Sequence, residues 1–298
     1  MKKIIYSLLI FMISSNIIFA QDKTEEKEKE DKTKKEKTFE EVTKQSKLIE
    51  GLFDIYQDSI SGKIQMLIKE EQLSKDFIYG SQIADGIVQA GGFRGLYNDE
   101  KIINFKKFFD KIEISFKNTN SYFDENNPLY KSREANISNA IISSSKIDFH
   151  DKENGTYLIN ANDLFLSESL TRVKPPSRPN QSRTAFSLGS LDKAKSKIMD
   201  IRNYPENLNI KTDYVYNNPN ILSSGSNSIS DSRYVSMKAF HTLIEMPDED
   251  YEIRLDDQRV GYFLTQVDNL TDSGTTNYRD LVNRWKLIKK DPRLEISE

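Results

Sequence analysis

Apolar and polar side chains alternate through much of the chain, the spacing of strands with one buried face. Ile112, Ile114 and Phe116 are the clearest run. Residues 52–56 and 64–68 are apolar runs separated by Ser59-Ile60-Ser61-Gly62-Lys63 and read as a hairpin. A short helical turn over 70–75 leads to a strand over 77–83. Residues 102–109 and 111–117 form a second hairpin around Asp110-Lys111. Residues 147–150 and 156–159 flank Glu153-Asn154-Gly155, a turn signal. Further strands are expected over 208–216, 234–246, 260–267 and 281–288. Helices are expected over 128–142, with Pro128 near the start, over 191–201 as a short basic helix, and as a helix or turn over 162–166. Residues 171–187, with Pro175, Pro176 and Pro179, read as an extended exposed loop, and 217–231 as a loop rich in Asn, Ser and Gly. The sum is an α+β fold, β-rich, made mainly of antiparallel hairpins with a few short helices.

The two ends of the pattern differ from its middle. Lys2-Lys3, an apolar stretch over 4–19 and small Ala20 follow the order of a secretory signal peptide. An uncleaved anchor is the other reading, but the stretch is on the short side of the ~17–25 residues that span a bilayer. Export to a periplasmic or extracellular location is expected, with the mature chain beginning at Gln21 and no stable membrane anchor after cleavage. Residues 21–38 hold seven acids, seven lysines and no apolar side chain, so a disordered charged linker is expected there. The remainder divides into a small β-hairpin module over 39–85 and a β-rich α+β domain over 86–298.

Charge narrows the partners. Without residues 1–20 the chain keeps 41 basic and 46 acidic residues, a net of −5. That excess gives no footprint for nucleic acid and no general attraction to anionic membranes. With no Cys in the chain there is no disulfide and no thiolate chemistry.

Candidate chemistry is sparse. His150 and His241 stand ninety residues apart in strand-like stretches, without the spacing of a zinc site. They read as structural; if the fold brought them together, with one carboxylate they would make a three-ligand set. Asp256-Asp257, Asp148 and Asp163 offer paired carboxylates, which an acid-rich chain produces by coincidence. The glycines at 86, 91, 92 and 95 do not fit a dinucleotide or phosphate loop and read as a turn. Arg259, Tyr262 and Trp285 are expected to serve structure, with Trp285 in the core; beside Arg284 it would otherwise stack on a ligand. Tyr97, Tyr122 and Tyr130, in loops, suit a binding surface for peptide or glycan. No catalytic, cofactor-binding or metal-binding residue is assigned.

Seven segments together resemble one family. They are Phe39-Glu40-Glu41-Val42-Thr43, Glu50-Gly51-Leu52-Phe53, Leu73-Ser74-Lys75-Asp76-Phe77-Ile78-Tyr79, Tyr204-Pro205-Glu206-Asn207, Asp257-Gln258-Arg259-Val260-Gly261-Tyr262-Phe263, Asn283-Arg284-Trp285-Lys286-Leu287 and Lys289-Lys290-Asp291-Pro292. In order and spacing they resemble the region that precedes the peptidase domain in large exported bacterial zinc-dependent metalloproteases of metzincin type. The resemblance spans residues 38–298. It implies an accessory region, non-catalytic by itself, that supports, shields or presents substrate to a peptidase domain, and zinc in full-length relatives. The HExxHxxGxxH-type helix has no counterpart here, so no catalytic residue carries over and no cofactor is expected in this chain. The final residues resemble the lead-in to that domain, which makes truncation before it the expectation. The partners implied are a downstream or separate peptidase domain and a peptide or protein substrate. A stand-alone envelope or secreted binding module for peptide or glycan is the alternative.

Overall fold

The computed structural model describes residues 38–295, except 177–179, 181, 183, 224, 248–251, 272–277, 286–290, 292 and 294. The expected signal peptide and all of the charged linker but Thr38 lie outside the described residues. The chain divides into two units, residues 1–42 and 43–298. Thr38 opens helix α1 (Phe39–Thr43). Its hydroxyl accepts from Glu41 N, and the Glu41 carboxylate accepts from Thr38 N, a reciprocal cap.

The second unit is β-rich, with antiparallel strands in a curled half-barrel sheet, and the described residues are only 9% helical. Its strands in chain order are β1 (Ser46–Ile49), β2 (Asp54–Asp58), β3 (Ile64–Lys69), β4 (Asp76–Asp85), β5 (Tyr97–Phe108), β6 (Lys111–Phe116), β7 (Ser121–Tyr122), β8 (Ala140–Asp151), β9 (Thr156–Asn160), β10 (Ser190–Leu191), β11 (Lys197–Asn203), β12 (Asn207–Asn217), β13 (Tyr234–Glu245), β14 (Leu264–Asn269) and β15 (Tyr278–Val282). Helix α2 (Asn162–Phe165) follows β9. Twelve strands form one sheet in the order β1-β2-β3-β9-β8-β6-β5-β4-β13-β12-β10, with β11 also on β12. A small second sheet has the order β15-β14-β7.

Strand parity places the core. Phe77, Tyr79 and Ile83 of β4, Ile210, Tyr214 and Tyr216 of β12, and Met237, Ala239 and Leu243 of β13 are all buried. They occupy alternate positions, as a one-sided sheet requires. Phe53, Phe77 and Phe105 meet with ring centroids 5.0, 5.2 and 5.8 Å apart. Leu164 and Phe165 of α2 belong to the same cluster. The two ends of the large sheet are tied at one corner. Asn203 Nδ2 donates to Ile49 O and Phe53 O at 2.8 and 2.7 Å, and Leu52 N donates to Tyr204 O at 2.7 Å. A Cβ on Gly51 would fall on the Asn203 amide, so the corner closes only around a glycine. Two of the seven quoted segments, 50–53 and 204–207, therefore meet at one structural joint.

Several expectations change. Strands of the 39–85 module and of the 86–298 domain share one sheet: β3 pairs with β9, and β4 lies between β5 and β13. The helix over 191–201 is instead β10, a turn and β11. Asp192 O accepts from Lys195 N and Ser196 N, which closes one turn, and the open edge of β12 then takes up the chain as a strand. The helix over 128–142 stops after a 3-10 turn, Pro128–Ser132. Asn136 has a φ of 62°, which no right-handed helix allows, and β6 recruits residues from Ala140 onward as β8. The loop over 171–187 is not wholly exposed, because Thr171 and Val173 are buried. β14 starts at Leu264 rather than 260, since Val260 N closes a turn on Asp257 O. Trp285 is not in the core: it is 86% exposed, beyond the end of β15, where no second layer covers it among the described residues.

Candidate functional site

The two histidines are apart in role. His150 stacks on Tyr157, ring centroids 4.5 Å apart. His241 is 1% exposed, on the concave face of β13. Tyr214 donates its hydroxyl proton to Phe165 O at 2.6 Å, so toward His241 Nε2, at 3.0 Å, the phenol is the acceptor. Nε2 therefore carries the hydrogen, and Nδ1 accepts from the Tyr79 hydroxyl at 2.9 Å. Burial lowers the imidazole pKa to about 3 and pushes both phenols up, because each charged form would lose its hydration. This is a neutral, saturated polar layer that positions α2 against the sheet, and it holds no free base or ligand. Among the described residues, no group of three or more His, Asp or Glu side chains is arranged to hold a metal ion. The donor set does not fit zinc.

The candidate carboxylates are also scattered. Asp257 is held by the Arg259 guanidinium, which keeps its pKa at about 2. Asp163 pairs with Lys193 at 3.3 Å, and Asp148 accepts from Gln65. Asp256 N donates to Asp280 O, a backbone contact alone.

Two of the three loop tyrosines do come together. A cleft of about 500 Å³ is lined by Tyr122, Phe123 and Tyr130 among Lys117, Glu125, Arg133 and Glu134. Its walls have separate origins. Asn127 accepts from Leu129 N and opens the 3-10 turn with Pro128 as its first residue, which carries Tyr130. Asn127 Nδ2 also donates to Thr271 O, and Asp124 N donates to Thr271 Oγ1, so this loop is fastened to the residues just after β14. β7 runs parallel to the end of β14, pairing Tyr122 with Asn269. Asn118 N donates to Asn139 Oδ1 and fixes the wall on the side of the large sheet.

The aromatic faces already carry cations. Arg133 lies 4.4 Å above the Tyr130 ring and Arg279 lies 5.4 Å from the Tyr122 ring centre. Such pairs hold a guanidinium over a flat apolar surface, where it can meet a carboxylate or a carbonyl. Lys117 Nζ is 2.5 Å from Asp76 Oδ2. Asp76 lines a second cleft of about 530 Å³ with Lys75, Glu206, Glu245, Met246 and Pro247. The Lys117–Asp76 pair thus joins one lining residue of each cleft. The third tyrosine, Tyr97, opens β5 and belongs to neither cleft. Sequence reading offered Tyr122 and Tyr130 only as loop aromatics. For the turn that carries Tyr130 the local signal is Asn127-Pro128, a cap followed by a helical first turn.

The cleft brings together flat aromatic surface, two cations already engaged by Tyr130 and Asp76, and the carboxylates of Glu134 and of Glu125, which accepts from the Tyr130 hydroxyl at 3.4 Å. No curated protein matches the chain, and no solved structure does. Residues 95–290, which include both walls of the cleft, match a domain of unknown function, DUF5117, and the chain belongs to that family.

Proposed function

We propose that this chain is a non-catalytic accessory region of an exported zinc metallopeptidase type of protein, and that it works by binding a stretch of polypeptide. The metallopeptidase part of the reading is supported by the seven ordered segments, and export by the Lys-apolar-Ala order of the first twenty residues. The single observation that carries the binding role is the cleft, where Tyr122, Phe123 and Tyr130 stand beside Arg133 and Lys117. Aromatic faces take apolar side chains or the flat side of a peptide bond, and the cations hold main-chain carbonyls or acidic side chains. Large aromatic and Arg side chains commonly dominate such interfaces. The role would be to hold or present substrate, with no chemistry performed by this chain.

The test is calorimetric titration of the full chain with unfolded polypeptides, beside a glycan panel. Binding of peptide that weakens about tenfold or more in Tyr130→Ala and in Arg133→Ala supports the proposal. Glycan binding lost in the same variants would favour the stand-alone glycan module instead. Peptide hydrolysis by the purified chain would overturn the non-catalytic role.

A further inference from the structure

At the opposite end of β5 and β6 from the cleft, the hairpin tip departs from ordinary hairpin chemistry in three ways. Its two-residue loop is Phe109-Asp110, with Phe108 opposite Lys111. The first loop position has a φ of 52°, a conformation that hairpins usually give to Gly, Asn or Asp, and here it is Phe109. Phe108 and Phe109 are 56% and 80% exposed and pack edge to face on each other, 4.8 Å between centroids, rather than on the core. Lys111 stands directly opposite Lys146 on β8, and like charges in register repel.

The left-handed Phe109 and the Lys111–Lys146 pair each cost stability, the exposed Phe pair leaves its apolar area unburied, and all three coincide at one point. Lys106, Phe108, Lys111 and Lys146 share the convex face by strand parity, opposite to buried Phe105 and Ile112. Lys107 lies on the other face, 5.7 Å from the Tyr157 ring. The carboxylates nearby are Asp110 in the loop, Glu113 opposite Lys106, and Asp148 farther along β8, where it accepts from Gln65. The tip is therefore a protruding apolar wedge with a cationic collar. A protein partner would need a concave acidic pocket to receive it. A bilayer needs only anionic headgroups and an acyl boundary, and shallow aromatic insertion combined with lysines is how peripheral proteins attach.

We propose that the β5–β6 tip seats this protein on an anionic lipid surface, with Phe108 and Phe109 in the headgroup layer and Lys106, Lys111 and Lys146 against the lipid charge. The overall acidic charge of the chain does not oppose this, because a surface charge acts only within a Debye length of about 8–10 Å. The attachment is peripheral and independent of peptide binding in the cleft.

The experiment is co-sedimentation of residues 21–298, the expected mature chain, with vesicles of phosphatidylcholine alone and of phosphatidylcholine mixed with phosphatidylglycerol. Binding is expected only to the anionic vesicles and should weaken as salt rises. Phe108→Ser with Phe109→Ser, and separately Lys111→Glu with Lys146→Glu, should each reduce it by about tenfold or more. Phe109→Gly separates this from a structural role: it should raise the melting temperature, by relieving the left-handed residue, while weakening vesicle binding. Absence of binding to anionic vesicles, equal binding to both vesicle types, or binding unchanged in Phe108→Ser/Phe109→Ser would each overturn the proposal. Self-association that the serine variants abolish, without vesicle binding, would assign the tip to a second copy of the chain instead.

Discussion

β13 and β14 are both hydrogen-bonded strands, yet they live in different environments. β13 pairs with β12 over residues 234–244 and with β4 over residues 238–245, and it buries Val235, Met237, Ala239, His241 and Leu243 in strict alternation. β14 has β15 on one side and only two residues of β7 on the other, and it buries only Val267 and Asn269. Around it Phe263 is 88% exposed, and Leu255, Val260 and Leu264 are exposed as well. The backbone ladder is the same in kind, so pairing does not make the difference. What differs is the second layer. The concave face of the large sheet is filled by its own curl and by α2, whereas among the described residues little packs on the small sheet. Stability follows buried apolar area more than strand pairing.

That contrast can be broken most directly in the aromatic core. Phe105→Ala should lower unfolding free energy by about 3–5 kcal/mol in denaturant titration, because the ring is fully buried against Phe53 and Phe77. A loss below about 1 kcal/mol would show that the large sheet is not the stable one. Acid should act through the same sheet. The folded pKa of His241 is depressed to about 3 against an ordinary value of 6.5, so between those values the unfolded chain binds a proton that the folded one refuses. The stabilising contribution is complete above pH 6.5 and is lost as pH falls, with a slope approaching about 1.4 kcal/mol per pH unit. A His241→Gln protein should lack that component in its pH–stability profile.

Gly51→Ala tests the corner that closes the large sheet. The Asn203 amide is anchored by two backbone acceptors and cannot swing away, so a loss of roughly 1–3 kcal/mol is expected, read by thermal melting. Hydrogen exchange sharpens the comparison without mutation: amides of β14 should exchange by local opening well before those of β13. The smallest effect belongs to Trp285→Ala, which should change stability by less than about 0.5 kcal/mol because the indole faces solvent. A larger loss would mean that a surface covers it in solution.

Strand existence was readable because period-two burial is written in local sequence, as in Ile112-Glu113-Ile114. Hairpins were readable where turn residues stand between such runs, as at Glu153-Asn154-Gly155. The basic helix over 191–201 was misread because Leu191, Ala194, Ile198 and Ile201 recur at helical intervals; the unpaired edge of β12 overruled that local pattern. Trp285 was misread because residue type predicts burial only where a second layer exists to supply it. Of the cleft, the two tyrosines were visible, but not that Thr271 ties down the loop between them or that Lys117 reaches Asp76.

By itself, then, the sequence determined which faces of the strands are apolar, where the local turns fall, the absence of thiol chemistry and the net acidity. These depend on neighbours a few residues apart. Only the tertiary structure decided the strand order, which puts Tyr79 of β4 against His241 of β13, 162 residues away, and so makes that histidine neutral and structural. It also decided that Tyr122 and Tyr130 share a cleft and that Phe109 protrudes among lysines. Contacts between distant segments are selected by whole-sheet register and by the area available to bury, and no local window of sequence contains either quantity.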